Sequence, residues 1–398
     1  MNNTNLTLYR IPTEADAWFR FRTTGLLPED CEKYKCNPYA GGCGSSEIGL
    51  LLGLQKKYRP SVQEVYHHKC GDLVPQRQSN RAMVRGKILE PIVAKIWMLY
   101  EGEDDSWVPN IMDYMEGNRE LKRELSVRNA RKYNAYFVNE KYPWLFSSLD
   151  YFAEKNTPGI MDGKIHPDGF PVEVKTINTH YAKLWVDGVP PTFVAQLNQE
   201  MICTNSDYGE LAVLFPDEFK FTIFPFYRDQ ELCDRIIHWS KKFWDKVLES
   251  REAKKKMDFY FQAGKLQEGE EQQAIIDSNE PEPDDGEAYL EYIKERFQPG
   301  FNEEIDGDLS LYDDTMVYKL CAGISGLLDE KQTGIKNRIL KLLTDTGATK
   351  ISFGEAGQIT FNENKNKQRT LLINTKALYD IKGITQTEFD KLDFTIKR

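Results

Sequence analysis

The sequence contains no run of about eighteen consecutive apolar residues, so we expect no helix that spans a membrane. Residues 1–10 also lack the apolar segment of a secretory signal peptide, so we expect no export. The seven cysteines have no regular spacing, which is typical of free thiols in a reducing compartment. These absences predict a soluble protein of the cytoplasm.

Four of the cysteines lie in the first seventy residues, and sulfur ligands of this number can hold zinc or an iron–sulfur cluster. They are Cys31, Cys36, Cys43 and Cys70. Their spacing matches no known ligand pattern, so the sequence favours unpaired thiols over a metal site.

The sequence also lacks a net positive charge, since 62 acidic and 52 basic residues give a net charge of −10. This sign argues against a protein that coats nucleic acid, because phosphate contacts favour basic surfaces. The charge is uneven, however. Residues 266–288 contain nine acidic residues and no lysine or arginine, whereas residues 119–132 contain six basic and two acidic residues. We therefore expect the excess negative charge to lie away from any site for an anionic ligand.

The length of 398 residues predicts two domains. Residues 266–288, with Pro281 and Pro283, are too polar to form a core of their own. We therefore predict a first domain over residues 1–260, an acidic linker over residues 261–288 and a second domain over residues 289–398.

Helices and strands are predicted from the spacing of the apolar residues. Helical spacing is found over residues 14–22, 80–100, 193–204, 229–257 and 313–343. Strands are predicted over residues 132–138, 170–177, 211–215 and 219–226, and a small sheet over residues 350–374. Residues 23–40, which include two prolines, predict an irregular loop.

Three charged side chains are predicted to converge on the strand over residues 170–177. Because side chains alternate along a strand, Glu173 and Lys175 point to the same side while Val174 points into the core. Asp150, 23 residues before Glu173, ends an earlier extended segment and can bring a second carboxylate. Two carboxylates beside an ammonium can hold a divalent cation and a hydrolytic water, and hard oxygen ligands suit Mg²⁺ or Mn²⁺.

Two further polar residues interrupt apolar helical stretches. Glu90 falls among the apolar positions of residues 80–100, at the edge of the buried face. Gln196 and Gln199 lie three residues apart on one face of the helix over residues 193–204. Taken alone, each of these residues is most simply explained by a structural role, such as a salt bridge at the edge of the core.

Taken in order, six segments of the chain resemble the PD-(D/E)xK nucleases, and within them the YqaJ-like viral recombinases, which include the exonuclease of phage lambda. The similar segments are residues 18–22, 44–53, 85–91, 148–150, 173–175 and 196–201. Two departures are the long segment over residues 23–40 and Tyr151, which stands where the family has glycine. Residues after 260 match nothing in the family.

The resemblance implies an α/β (α+β) fold with a restriction-endonuclease-like core, in which helices flank a mixed central β-sheet. Residues 289–398 would add a small C-terminal α+β accessory region. It also implies a cytoplasmic location, in a bacterial host cell or a phage-infected cell.

In such a core, Asp150, Glu173, the carbonyl of Val174 and Glu90 would bind one or two Mg²⁺ ions, for which Mn²⁺ can substitute. The cation would acidify a water molecule and neutralise phosphate oxygens.

The resemblance implies that Lys175 orients the attacking water and helps to deprotonate it if its pKa is lowered near the metal. Gln196 would hold the water network or Lys175. Arg22 and Ser46 would bind a 5′ phosphate above a helix N-terminus.

The activity implied by the resemblance is 5′→3′ hydrolysis of one strand of linear double-stranded DNA from a 5′-phosphorylated end. The remaining 3′ overhangs would serve recombination through a single-strand annealing protein, and family members can form ring-shaped homo-oligomers. Two alternatives stay open: an endonuclease or RNA-acting nuclease of the same fold, and a non-catalytic scaffold that binds DNA ends.

Overall fold

The computed structural model describes residues 5–55, 60–74, 81–100, 107–108, 111–112, 128–160, 163–178, 185, 188–284, 286–296, 309–346, 348–352, 357–363 and 369–375. The chain divides into two compact units, residues 1–298 and residues 299–398. Among the helices in these ranges, none is both long and apolar enough to cross a membrane.

The first unit contains the following strands and helices within the described ranges. The strands are β1 (Leu6–Tyr9), β2 (Cys43–Gly44), β3 (Ala130–Arg131), β4 (Tyr136–Asn139), β5 (Leu145–Ser147), β6 (Tyr151–Ala153), β7 (Thr157–Pro158), β8 (Ile165–His166), β9 (Phe170–Thr176), β10 (Tyr208–Phe215) and β11 (Lys220–Tyr227). The helices are α1 (Asp16–Arg22), α2 (Pro28–Tyr34), α3 (Ser45–Leu51), α4 (Val62–Cys70), α5 (Arg81–Leu99), α6 (Pro191–Thr204), α7 (Gln230–Gln262), α8 (Leu266–Asn279) and α9 (Glu287–Arg296).

A five-stranded mixed sheet with the order β11-β10-β9-β6-β3 lies at the centre of this unit. Strands β9 and β10 run parallel, and the other neighbouring strands run antiparallel. A parallel pair needs a crossover between its strands, and helix α6 lies in the connection from β9 to β10. The mixed sheet with flanking helices confirms the fold class expected from the sequence.

The two faces of this sheet pack against different helices. On one face, Val172 and Val174 of β9 belong to the same buried cluster as Val93, Ile96 and Trp97 of α5. On the other face, Leu197 and Met201 of α6 pack with Leu211 and Val213 of β10. Strand β9 therefore presents apolar side chains to α5 and Glu173 and Lys175 to the side of α6.

A second sheet, with the order β1-β4-β5-β2, leads into the first. Its strand β2 pairs in parallel with β5 and continues directly into helix α3. Strand β5 ends at Ser147, and only three residues separate it from β6 of the central sheet. Asp150 is the last of these three residues, so the junction of the two sheets fixes its position.

The structure differs from the sequence-based predictions in two segments. Residues 28–34, predicted as part of an irregular loop, form helix α2, with Pro28 in its first turn and Asp30 accepting a hydrogen bond from the Leu27 N–H. Residues 266–279, predicted as part of an acidic linker, form helix α8. The buried Ile276 and the close approach of Gly269 to the Phe261 ring hold α8 against α7.

The second unit contains helix α10 (Leu309–Thr346) and the strands β12 (Lys350–Ser352), β13 (Gly357–Glu363) and β14 (Arg369–Thr375) within its described residues. The three strands form an antiparallel sheet in the order β12-β13-β14. A long helix followed by a three-stranded sheet is the arrangement predicted for this part of the chain.

Candidate active site

Strand β9 places a buried acid and a lysine next to each other on the face that α6 covers. Glu173 is only 2% exposed, although a lone buried carboxylate is unfavourable. Its Oε1 accepts a hydrogen bond from Nε2 of Gln196 at 2.6 Å and a second one from Nζ of Lys175. Glu173 is therefore held by a strand neighbour and by a helix.

Asp150 lies beside Glu173 because strands β6 and β9 pair antiparallel, with Tyr151 opposite Val172. Its Oδ2 accepts the backbone N–H of Val174 at 3.0 Å. Burial, and then the negative charge of Glu173, raise the pKa of Asp150 well above its usual value. The structure thus brings two predicted carboxylates and Val174 together on two paired strands.

Lys175 carries the positive charge of this group. Burial alone would lower the pKa of Lys175, but the carboxylates of Glu173 and Asp150 outweigh it and raise the pKa above its usual value. In this structure, Lys175 is a protonated donor to Glu173. The expectation that its pKa is lowered refers to the site with a cation bound, so it stays a prediction.

Gln196 projects from α6 between two acids. Its Nε2 lies 2.6 Å from Glu173 Oε1 and 3.1 Å from Glu200 Oε1. An amide nitrogen carries two hydrogens, so it can serve both carboxylates, whereas an amide oxygen in that place would repel them. In this structure Gln196 therefore donates to Glu173 and Glu200, and its expected contact with the water network or Lys175 stays a prediction.

Glu200, which the sequence analysis missed, completes a group of three acids, of which Glu173 and Glu200 are buried and Asp150 is half-buried. Glu200 is fully buried, and its Oε2 has no hydrogen-bond partner among the described residues. Burial, and then the charges of Glu173 and Asp150, raise the pKa of Glu200 well above its usual value. The available signal was an acid within the apolar part of α6, four residues after Gln196, which is the same signal that singled out Glu90.

Glu90 reaches the edge of this group from α5. Its carboxylate forms an ion pair with Lys132, and its charge contributes to the raised pKa of Asp150. The structure therefore places Glu90 near the acids, but with a basic partner of its own.

The acids fit a divalent cation by their chemistry and charge. Mg²⁺ and Mn²⁺ bind buried oxygen ligands that lack enough basic partners. Glu200 Oε2 is a buried acceptor for which the described residues offer no donor. As the side chains stand, with Lys175 bonded to Glu173, no three His, Cys, Asp or Glu residues of the described part surround one point closely enough to hold an ion.

The two residues predicted to bind a 5′ phosphate also lie together. Arg22 at the end of α1 donates from Nη2 to Ser46 Oγ at 3.2 Å. Glu47 faces the same arginine at 3.8 Å and binds the buried Lys69 at 2.7 Å. Burial would raise the pKa of Glu47, but Lys69 and then Arg22 lower it below its usual value. The backbone N–H of Gly44 is taken by Glu47 Oε2, at 2.9 Å.

Helix α6 connects this pair to the acids. Gln199 donates to the carbonyls of Cys43 and Phe146 at 2.8 and 3.0 Å. Cys43 lies two residues before α3, and Phe146 lies four residues before Asp150. A Cβ added to Gly49 of α3 would lie 2.0 Å from Thr192 Oγ1 of α6, so α3 and α6 pack together without room for a side chain there. The spacing of the two groups is therefore set by one rigid helix.

The cysteines named in the sequence analysis are free thiols in the structure. Cys43 is buried with its Sγ 3.8 Å from the carbonyl oxygen of Ser240. No metal-binding group of three or more residues involves the cysteines within the described ranges.

Acids and a lysine on a mixed sheet between two helices are the arrangement expected from the resemblance to the PD-(D/E)xK nucleases. Residues 17–207 match the family model of the YqaJ-like viral recombinase domain, which is the family that the sequence resembles. Every predicted site residue lies inside the matched range.

Two crystal structures of LHK-Exo, an alkaline exonuclease from Laribacter hongkongensis, share a distant likeness with this chain. The complex with dAMP is 16% identical, covers 56% of this chain and 93% of its own, and has a TM-score of 0.37. The second structure is 14% identical, covers 56% of this chain and 94% of its own, and has the same TM-score of 0.37. No curated protein gives a significant match.

Proposed function

We propose that this chain is a divalent-cation-dependent exonuclease that degrades one strand of linear double-stranded DNA. It starts at a 5′-phosphorylated end, proceeds 5′→3′ and leaves 3′ overhangs for recombination. The observation that carries this proposal is the placement of Asp150, directly before β6, beside Glu173 and Lys175 of the paired strand β9.

The cation would be held by Asp150, Glu173, the carbonyl of Val174 and Glu90, as one or two Mg²⁺ ions for which Mn²⁺ can substitute. A bound cation of this kind acidifies water and neutralises charge on phosphate oxygens. Glu90 would join by exchanging its ion pair with Lys132 for the cation.

The side chains around the cation orient the reacting groups. Lys175, which donates to Glu173 in this structure, would direct its N–H groups at the attacking water and the scissile phosphate. If its pKa is lowered near the metal, it would also help to deprotonate that water. Gln196 keeps the Glu173 carboxylate in one orientation through its bond from α6. Positioning of this kind accounts for a large share of a hydrolytic rate enhancement.

The Arg22–Ser46 pair supports recognition of a 5′ phosphate. A guanidinium beside a hydroxyl offers several N–H donors and one O–H donor, which match the oxygens of a terminal phosphate. Arg22 would bind that dianion in place of its longer contact to Glu47.

The wider setting of the reaction follows from the same proposal. The 3′ overhangs call for a single-strand annealing protein as partner, and a ring-shaped homo-oligomer would keep the enzyme on its DNA. The working compartment would be the cytoplasm of a bacterial or phage-infected cell. Residues 289–398 would form an accessory region that hydrolysis does not need.

One assay tests the activity. Linear duplex labelled at either end, with and without a 5′ phosphate, and a closed circle of the same sequence are incubated with Mg²⁺. We expect release of 5′ nucleotides from the phosphorylated linear duplex, slower release from the hydroxyl end and an intact circle. Cleavage of the circle, or of RNA in preference to DNA, would favour the alternative nucleases.

The Lys175→Ala variant provides the matched control. It should bind duplex ends as the parent protein does, yet lose turnover by about two orders of magnitude or more, since a charged group aimed at the reacting phosphate is gone. Full turnover in this variant would remove Lys175 from the mechanism, and absence of turnover in the parent would leave only an end-binding scaffold.

A further inference from the structure

We propose that Glu200 is a third carboxylate of this centre, which orients Gln196 with one oxygen and strengthens divalent-cation binding with its charge. The inference rests on the proposed cation-dependent function. It concerns a residue outside the set that the sequence singles out.

The first part of the argument is the geometry of Gln196. Its Nε2 lies 3.1 Å from Glu200 Oε1 and 2.6 Å from Glu173 Oε1, so each amide hydrogen serves one carboxylate. Without Glu200, the amide could rotate and present its oxygen to Glu173. Glu200 therefore acts as a positioning residue for Gln196 and, through it, for Glu173.

The second part of the argument is the other oxygen of the same carboxylate. Glu200 Oε2 is buried and has no partner among the described residues. Its charged neighbours are Glu173, Asp150 and Lys175. Buried oxygens of carboxylates are almost always paired, so an unpaired one that faces other acids marks a place where positive charge is needed.

Glu210 shows how this fold satisfies a buried acid that has a structural role. It lies on the opposite face of the same sheet and accepts hydrogen bonds from Trp97 Nε1, Arg128 Nη1 and the Ile160 N–H at 2.7, 2.9 and 2.7 Å. The hydroxyl of Tyr208 adds a further bond at 2.7 Å. Glu200 has one donor within the described ranges, although it is buried just as completely.

The third part of the argument is charge balance. With every carboxylate ionised, as binding of a cation requires, Asp150 and Glu173 against Lys175 leave one negative charge, and Glu200 increases the excess to two. One divalent cation neutralises an excess of two charges. Glu90 and Lys132 carry opposite charges and together add no net charge, so this pair does not alter the balance. With Glu200 included, the net charge of these four side chains is therefore equal and opposite to that of one divalent cation.

Binding of Mn²⁺ to the full-length protein without DNA, measured by calorimetric titration, tests this proposal. Glu200→Gln keeps the size of the side chain and an acceptor for Gln196 but removes the charge, so we expect Mn²⁺ affinity to fall roughly tenfold. Glu200→Ala also releases Gln196, so turnover should fall further than in Glu200→Gln, whereas the KM for DNA should not change in either variant.

Two reference variants make the result decisive. Asp150→Asn should abolish Mn²⁺ binding under the proposed function, and Glu154→Gln, which changes an exposed acid bonded to Arg131 at the end of β6, should leave it unchanged. If Asp150→Asn loses binding while Glu200→Gln keeps the parental affinity, the role of Glu200 is overturned and the proposed function stands. If Asp150→Asn also keeps the parental affinity, the proposed cation site itself fails.

Thermal unfolding without cation separates this role from a structural one. Replacing an unpaired buried charge by a neutral amide relieves repulsion, so Glu200→Gln should unfold at the parental temperature or above it. Mn²⁺ should then stabilise the parent protein more than Glu200→Gln. A lower unfolding temperature together with equal stabilisation by Mn²⁺ would make Glu200 a structural residue and overturn the proposal.

Discussion

Gln196 donates from Nε2 to Oε1 of Glu173 across 2.6 Å, and this bond joins helix α6 to strand β9 at the centre of the site. The helix supplies the donor and the strand supplies the acceptor, so the orientation of the acid depends on the packing of two elements. A change in α6 therefore reaches the reacting groups without touching the strand.

Replacing Gln196 by Leu should lower kcat by about a hundredfold, because a misplacement of about 1 Å at a reacting group costs that much. Duplex binding in Ca²⁺ should be unchanged. Gln199→Leu, three residues along the same helix, serves as the control. It breaks the bonds to the Cys43 and Phe146 carbonyls, so it should reduce stability by about 1–3 kcal/mol. Single-turnover rates and thermal unfolding of both variants distinguish the two roles.

Replacing Arg22 by Ala should abolish the preference for phosphorylated over hydroxyl 5′ ends. A charged hydrogen bond contributes about 1.5–3 kcal/mol, so the ratio of the two initial rates should fall by roughly tenfold to a hundredfold. Arg20→Ala is the matched control, since Arg20 on the same helix binds Asp30 at 2.6 Å instead. An unchanged ratio in Arg22→Ala would contradict the phosphate-binding role.

Replacing Glu47 by Gln should destabilise the protein by about 3 kcal/mol at pH 7, because the buried Lys69 loses its carboxylate partner. The pKa of Glu47 is lowered by folding, so its stabilisation is present above its ordinary value of 4.5 and is lost as the pH falls through the folded value. The difference between parent and variant, measured by denaturant unfolding, should therefore narrow below pH 4.5.

The exposed pair of Lys241 and Asp245 offers a control for this pH dependence. Its atoms lie 2.6 Å apart, but both side chains are exposed, and such pairs contribute little. Asp245→Asn should change the free energy of unfolding by less than about 1 kcal/mol, both at pH 7 and below pH 4.5.

Truncation after residue 298 should leave hydrolysis intact, because the first compact unit ends there. Truncation after residue 286 removes α9 as well, and with it Tyr292, which is buried and whose ring lies 6.2 Å from that of His67 on α4. Loss of one buried aromatic side chain costs about 1.5–3 kcal/mol, so the shorter protein should unfold at a lower temperature. Equal stability of the two truncated proteins would place the boundary near residue 289, where the sequence predicts it.

The sequence predicted the elements that depend on local pattern. The apolar spacing of α5 and the alternation of β9 are properties of short segments, and both elements formed where that pattern lies. The match of residues 17–207 to the family model also confirms the YqaJ-like resemblance. The sequence could reveal this resemblance because it rests on several segments in a fixed order. The assigned roles of Asp150, Glu173, Lys175 and Gln196 stay predictions that the experiments above test.

The sequence could not reveal contacts that depend on packing between distant segments. The apolar surroundings of Glu200 in the sequence indicate burial, but its bond to Gln196 and its place beside Glu173 depend on how α6 packs on the sheet. Helix α8 was missed for the same reason, since its composition is polar and only Ile276 and Gly269, in contact with α7, show why it folds. The pairing of Glu47 with Lys69, 22 residues later, likewise requires the tertiary structure.

Successive side chains of β9 alternate between two faces of the sheet. Val172 and Val174 pack in the hydrophobic core on one face, and Glu173 and Lys175 lie in the candidate site on the other. Inserting or deleting a single amino acid there would turn Glu173 and Lys175 toward α5 and expose Val172 and Val174 to the substrate. Protein engineers who wish to graft a reporter peptide should therefore use the turn between β10 and β11, where Phe219 is exposed and has a positive φ of 50°. An insertion in that turn lengthens the loop without changing which face of the sheet each side chain of β10 or β11 occupies.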